Sequence, residues 1–253
     1  MFHLELVTST MDEARRLSAL HPAGVVMADE QSAGRGRLPG RSWDTSTGQA
    51  LLATAWFPRS VLHAPASPVQ HGRSSLELPV ALAAGLAVAR ACLAWAESEA
   101  SPFRHGIAIK WPNDVLCGSR KLAGILCEAT ETTIHAGLGV NCLQRSFTGV
   151  YRTTPTSILM ETGQAPDRNS LLALILDELQ RLISRQTDWR TELDLLLAWK
   201  GRTVDFRQGL GVEQAHRGTL LGLAEDGGLI LQTAGSAEVF HSGELSLVID
   251  EYS

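Results

Sequence analysis

The chain has 253 residues, which at about 150 per domain means one to two domains and enough length to bury a core without disulfide staples. Hydrophobic residues make up 44% and charged residues 19%, a globular composition unlike that of a disordered chain. The formal net charge of −5 sits in residues 201–253, where three arginines face eight acids, while residues 1–200 balance. No basic face dominates, which argues against a generic nucleic-acid binder.

Cys92, Cys117, Cys127 and Cys142 form no CxxC pair, and the first residues lack the basic-then-apolar layout of a signal peptide. Reduced thiols and a cytoplasmic location are expected. Residues 78–96 are apolar but broken by Arg90 and rich in Ala and Gly, which predicts a buried helix and not a membrane span.

In chain order, residues 2–7 alternate as a strand does, and Thr10 with Glu13 has the Thr-x-x-Glu form of a capping box for a helix to about residue 20. Residues 24–28 and 49–57 read as short buried strands, separated by a loop dense in Gly and Arg. Residues 58–75, with three prolines and no acid, read as a mobile connection, and Pro79 opens an Ala-rich helix to about residue 100. Strands follow at 107–110, 113–116, 122–129 and 132–140, spaced as antiparallel neighbours, then an irregular stretch over 142–155. Helices are predicted over 169–186 and 188–199, the first with Leu171, Leu172, Ile175, Leu179 and Leu182 at helical spacing. After Gly201, short β runs at 203–206, 218–223, 228–233, 237–240 and 245–249 alternate with Gly-rich turns. The expected organisation is an α+β domain over 1–200 and a small all-β barrel over 201–253.

Common motifs are missing. Gly34 and Gly36 follow a strand, but Pro39 stands where a dinucleotide fingerprint needs its third glycine, and no helix opens there. There is no GxxxxGK and no GxSxG, and the eight histidines show no HxH, HxxxH or HExxH spacing, so no metal ligand set is assigned.

Three segments carry chemistry. Gly34-Arg35-Gly36-Arg37 leads to Arg41-Ser42-Trp43; Lys110-Trp111-Pro112-Asn113-Asp114 follows later; and Lys121-Leu122-Ala123-Gly124-Ile125-Leu126 lies just beyond a Gly-Ser turn. Arginines on a glycine-rich loop neutralise phosphate oxygens while small residues let backbone N–H groups approach. Asp114 and Lys121, seven residues apart across the turn, belong on adjacent strands, a carboxylate beside a cation. Only three lysines occur in the chain, and two of them, Lys110 and Lys121, fall in this region.

With these residues in place the sequence resembles the biotin protein ligase family over nearly its whole length. Gln31 and Ala33 to Arg37, then Gly40, Arg41 and Trp43, resemble the family's biotinyl-adenylate loop. KWPND at 110–114 and KLAGIL at 121–126 resemble its nucleotide and biotin strands, and 137–141 its GxGxN turn. Ser9-Thr10 falls at the family's Ser-Thr pair of the biotin pocket. The residues after Gly201 are similar to its SH3-like C-terminal domain, and the organisation resembles monofunctional members, which carry no DNA-binding domain. The chain departs from the pattern in an extra residue at Leu38-Pro39 and in Met11, where Asn is common. No adenine-stacking aromatic is assigned.

The resemblance implies a mixed β-sheet catalytic domain with flanking helices plus the barrel. It implies an enzyme that makes biotinyl-5′-AMP from biotin and Mg²⁺-ATP and then biotinylates a lysine of a biotin carboxyl carrier domain. It assigns Lys121, Arg37 and Asp114 to catalysis, with Asp114 as the proton acceptor. Ser9, Thr10, Gln31, Gly34, Arg35, Trp43, Lys121 and Gly124 would bind biotin; Arg35, Arg37, Lys110, Asn113, Asp114 and Asn141 would bind the nucleotide. Arg35, Arg37 and Arg41 should repel one another until an anion arrives, after which the loop closes over the anhydride. The expected partner is a carboxylase carrier domain, with no DNA and no membrane, and the protein is a monomer or homodimer. Two alternatives are a lipoate or octanoate ligase or transferase and, outside catalysis, a biotin-sensing or RNA-binding module.

Overall fold

A computed structural model describes residues 1–37, 40, 42–43, 45–63, 79–184, 189–208 and 214–248. The predicted segments form β1 (Phe2–Val7), α1 (Thr10–Ser18), β2 (Gly24–Gln31), β3 (Ala50–Pro58), α2 (Val80–Ser98), β4 (Ile107–Lys110), β5 (Asp114–Cys117), β6 (Arg120–Ala129) and β7 (Thr133–Asn141). They make one seven-stranded sheet in the order β1-β2-β3-β7-β6-β5-β4. It is mixed because α1 carries the chain back to lay β2 parallel to β1, whereas the remaining pairs are antiparallel.

The capping box predicted at Thr10 and Glu13 does not form. Ser9 is the N-cap, its hydroxyl accepting from the Met11 N–H at 3.3 Å, and Glu13 turns outward to Arg16. Two adjacent hydroxyl residues offered two cap registers, and the register that won buries Met11, Ala14 and Leu17 against the sheet. It also releases the Thr10 hydroxyl toward β2 and β3.

Pro79 caps α2 instead of entering it. The helix is long and apolar enough to cross a membrane, but two-thirds of that stretch (67%) is buried inside the fold, against the sheet and α4 (Arg168–Ile183). Its Arg90 is neutralised by Glu178 on α4 and Glu192 on α5 (Trp189–Leu195). One element was not anticipated: α3 (Ile158–Thr162), too short to show a periodicity, with Ser157 as N-cap and Gly163 at φ 82° ending it. Of the connection predicted over 58–75, Pro58 ends β3, residues 59–63 form a 3₁₀ turn and residues 64–75 lie outside the described residues.

The second sheet contains β8 (Thr203–Gln208), β9 (Gln214–Leu223), β10 (Leu229–Gln232), β11 (Ala237–Phe240) and β12 (Glu244–Leu247), all antiparallel in the order β11-β10-β9-β8-β12. Its inward residues Val204, Phe206, Leu220, Leu229, Leu231 and Leu245 belong to the same apolar cluster as the core of the large sheet. Trp111 joins the two: its Nε1–H donates to the Gly227 carbonyl at 3.1 Å and its ring lies 6.2 Å from that of Phe206.

Candidate active site

The floor of the site is built from absences. Gly124 on β6 and Gly139 on β7 are cross-strand partners, and the Trp43 indole lies directly on them. A Cβ at Gly139 would come within 2.7 Å of the ring and one at Gly124 within 3.0 Å, so larger residues would lift the indole off the sheet. Trp43 Nε1 is buried and has no hydrogen-bond partner among the described residues. Lys121 Nζ stands 5.5 Å from the centre of this ring and 2.6 Å from Asp114 Oδ1, the carboxylate–cation pair that the KWPND…K spacing predicts. A register shift between Val115 and Leu116 sets Asp114 opposite Gly124 and Leu116 opposite Lys121. Asn113 and Asn141 hold backbone: Asn113 Nδ2 donates to the Ile125 carbonyl at 2.7 Å, and Asn141 Nδ2 to that of Lys121 at 3.4 Å.

At the other side of Trp43 is a neutral polar group. Gln31 Oε1 accepts from the Thr10 N–H at 2.8 Å and from its hydroxyl at 3.1 Å, and the Thr54 hydroxyl donates to Thr10 at 2.9 Å. Ser9 lies beside them with its hydroxyl engaged as the helix cap. Gly34 closes the base of the loop: the Trp43 N–H donates to its carbonyl at 3.0 Å, and a Cβ there would collide with the Trp43 carbonyl. Thr54 was missed in the sequence; its only signal was a hydroxyl in the middle of an apolar strand.

The expectation of mutually repelling loop arginines is corrected for Arg35 and Arg37, each of which has a partner. Arg35 donates to both carboxylate oxygens of Asp12, at 2.8 and 2.7 Å, and its hydrogen bonds hold the Asp12 carboxyl below the usual range. Arg37 donates to the Gly243 carbonyl at 2.7 Å, in the turn before β12, and lies 4.0 Å from Glu244, the first residue of β12. Arg35 is thus tied to α1, and Arg37 to the start of β12 and the residue before it. Leu38-Pro39 and Arg41 lie outside the described residues.

Lys110 has a different setting. It lies opposite Asp114 across β4 and β5, yet that carboxylate is paired with Lys121. Burial pushes its ammonium below the ordinary lysine range, Lys121 and Arg152 add to the effect, and Asp114 and Glu244 oppose it. Glu244 also pairs with Arg152, so the two sheets meet in a set of interleaved charges that no local motif announced.

The one group of three metal-ligand side chains among the described residues, His105, Cys117 and Glu161, is at the far end of the β4–β5 hairpin. Arg120 occupies it, 2.8 Å from Glu161. The site itself offers Asp114 and the amide oxygen of Asn113, a donor set too small for a dedicated metal cage but suited to a Mg²⁺ ion carried on phosphates.

Residues 4–143 match the model of the biotin/lipoate A/B protein ligase family. The chain is 31% identical over 260 residues to a biotin–[acetyl-CoA-carboxylase] ligase of Paracoccus denitrificans, covering 93% of this chain and 98% of that one. It is 32% identical over 244 residues to the enzyme of that name from Mycobacterium tuberculosis, covering 92% and 82%. Among solved structures, the Leishmania major biotin protein ligase in complex with biotinyl-5-AMP superposes with a TM-score of 0.63 at 27% identity, over 95% of this chain and 98% of that one. The Aquifex aeolicus biotin protein ligase shares the fold with a TM-score of 0.77 at 24% identity, over 98% of each. The chain belongs to the biotin/lipoate A/B protein ligase family, as one of its biotin protein ligases.

Proposed function

We propose that the protein makes biotinyl-5′-AMP and transfers the biotinyl group to a lysine of a carboxylase carrier domain, in the cytoplasm. The observation that carries this reading is the Asp114–Lys121 pair beside the Trp43-covered Gly124–Gly139 platform. The glycines seat the Trp43 indole against the sheet, the exposed part of that indole offers an apolar wall to a flat ring system, and Thr10, Gln31 and Thr54 supply the neutral donors and acceptors that a ureido group requires.

In the first step the biotin carboxylate oxygen attacks the α-phosphorus of ATP, the P–O bond to the β-phosphate breaks, and pyrophosphate leaves. Two anions must meet, and Lys121, shared between Asp114 and the incoming oxygens, lowers that repulsion. Lys110 and Arg37 carry positive charge on the nucleotide side. Mg²⁺ brought by ATP would be held through Asp114 and Asn113 and would neutralise phosphate charge. In the second step the neutral amine of the carrier lysine attacks the anhydride carbonyl and AMP leaves. Asp114 can take the amine proton only while Lys121 faces the phosphate, so its first duty is to position Lys121.

Incubation of the protein with biotin, Mg-ATP and a purified carrier domain of acetyl-CoA carboxylase tests the reading by intact mass. One biotinyl group on one lysine is expected, and none when ATP is omitted. Acylation by octanoate or lipoate in place of biotin would select the alternative instead.

A further inference from the structure

We propose that Trp199, in the connection between the two sheets, is a positioning residue for Lys110, holding its ammonium against an aromatic face so that it stays unpaired by acid and available to the anionic substrate. The inference rests on the reading of Lys110 as a nucleotide contact.

Three independent observations converge. First, the connection is bonded to the large sheet. The Ile109 N–H donates to the Leu196 carbonyl at 2.7 Å and the Ala198 N–H to the Ile109 carbonyl at 2.9 Å, so residues 196–198 run parallel to β4 as an added edge. This fixes Trp199 beside the next residue of β4, which is Lys110. Second, Lys110 Nζ lies 5.4 Å from the centre of the Trp199 ring, within the range of a cation–π contact. Its other partner is the Thr153 hydroxyl at 3.4 Å, a weak hydrogen bond, and it has no ion pair among the described residues. An aromatic face stabilises a cation without cancelling its charge, whereas a carboxylate would cancel it. Third, Trp199 has φ 65°, in the left-handed region that a bulky side chain rarely enters. A glycine at this position would avoid that strain, and Gly201 stands only two residues on at φ 77°. The indole is kept there by packing against the apolar core, which also fixes the ring over Lys110.

The segment that delivers the chain into the second sheet also carries the ring that faces Lys110, one of the chain's three lysines.

The experiment measures KM for Mg-ATP and kcat of biotin-dependent pyrophosphate release for Trp199→Leu and Trp199→Phe, each in the parent and in a Lys110→Met background, with thermal unfolding as the check on folding. Trp199→Leu should raise KM for ATP by about 5- to 30-fold, the size of a desolvated cation–π contact, with kcat little changed. Trp199→Phe, which keeps a ring and most of the volume, should recover much of the loss. With Lys110 already replaced, Trp199→Leu should change KM less than about twofold, since the partner is gone. The same factor in both backgrounds, or a fall in kcat at constant KM, would overturn the positioning role while leaving Lys110 a nucleotide contact. Lys110→Met with an unchanged KM for ATP would instead remove the reading beneath it, and the proposal with it.

Discussion

Replacing Lys121 with alanine should lower biotin-dependent pyrophosphate release by about 100- to 1,000-fold, the cost of removing one charge stabiliser from a partly desolvated site. The side chain is 27% exposed, and its ammonium pairs with the Asp114 carboxylate and lies over the face of Trp43, so it contributes little to the apolar core. Its loss hurts twice: a cation that screens two approaching anions disappears, and Asp114, 16% exposed, becomes an uncompensated negative charge beside them. Asp114→Asn should also lower pyrophosphate release, since it removes the partner that positions Lys121. Circular dichroism should show an intact fold in both. Pyrophosphate release near the parent rate with the fold preserved would remove Lys121 from the chemistry.

The second large effect is on stability. Phe206→Ala should cost about 3–5 kcal/mol, because it empties a fully buried aromatic site at the junction of the two sheets. The ring lies 4.4 Å from that of Phe240 and 6.2 Å from that of Trp111, and Trp111 sits in the turn that carries Asn113 and Asp114. The damage should therefore reach adenylate formation as well as the second sheet. Deleting residues 201–253 should do the same more severely: it strips one wall from a continuous core, beyond any loss of carrier docking. The check is a urea melt followed by one fluorescence probe and one activity probe. Coincident transitions, shifted together in Phe206→Ala, are expected. A variant whose large sheet and pyrophosphate release were untouched would show that the two sheets fold and work apart.

Much of this was legible in the sequence for reasons that are local. Strand and helix periods placed nearly every element of the large sheet, and the Gly-Ser turn between Asp114 and Lys121 set them on neighbouring strands, where they pair. What could not be read locally depends on residues far apart in sequence. Asp12 meets Arg35 across 23 positions and Arg37 meets Gly243 across 206, and neither pairing leaves a trace in composition. The cap of α1 slipped by one because Ser9 and Thr10 are both good caps, and only burial of the helix face decides between them. Trp199 read as the end of a helix, yet the helix stops at Leu195 and the next residues bond to β4 through an isolated parallel bridge at Leu197. Helical propensity there yields to a free sheet edge that needs partners.

The central claim is that this site joins a biotin carboxylate to the adenylyl group of ATP. Its most direct measurement is exchange of labelled pyrophosphate into ATP with no carrier domain present, run with biotin, with octanoate, with lipoate and with no acid, in the parent and in Lys121→Ala. Exchange that requires biotin and collapses in Lys121→Ala is the predicted result. Exchange that proceeds without biotin, or with octanoate or lipoate in its place, would contradict it.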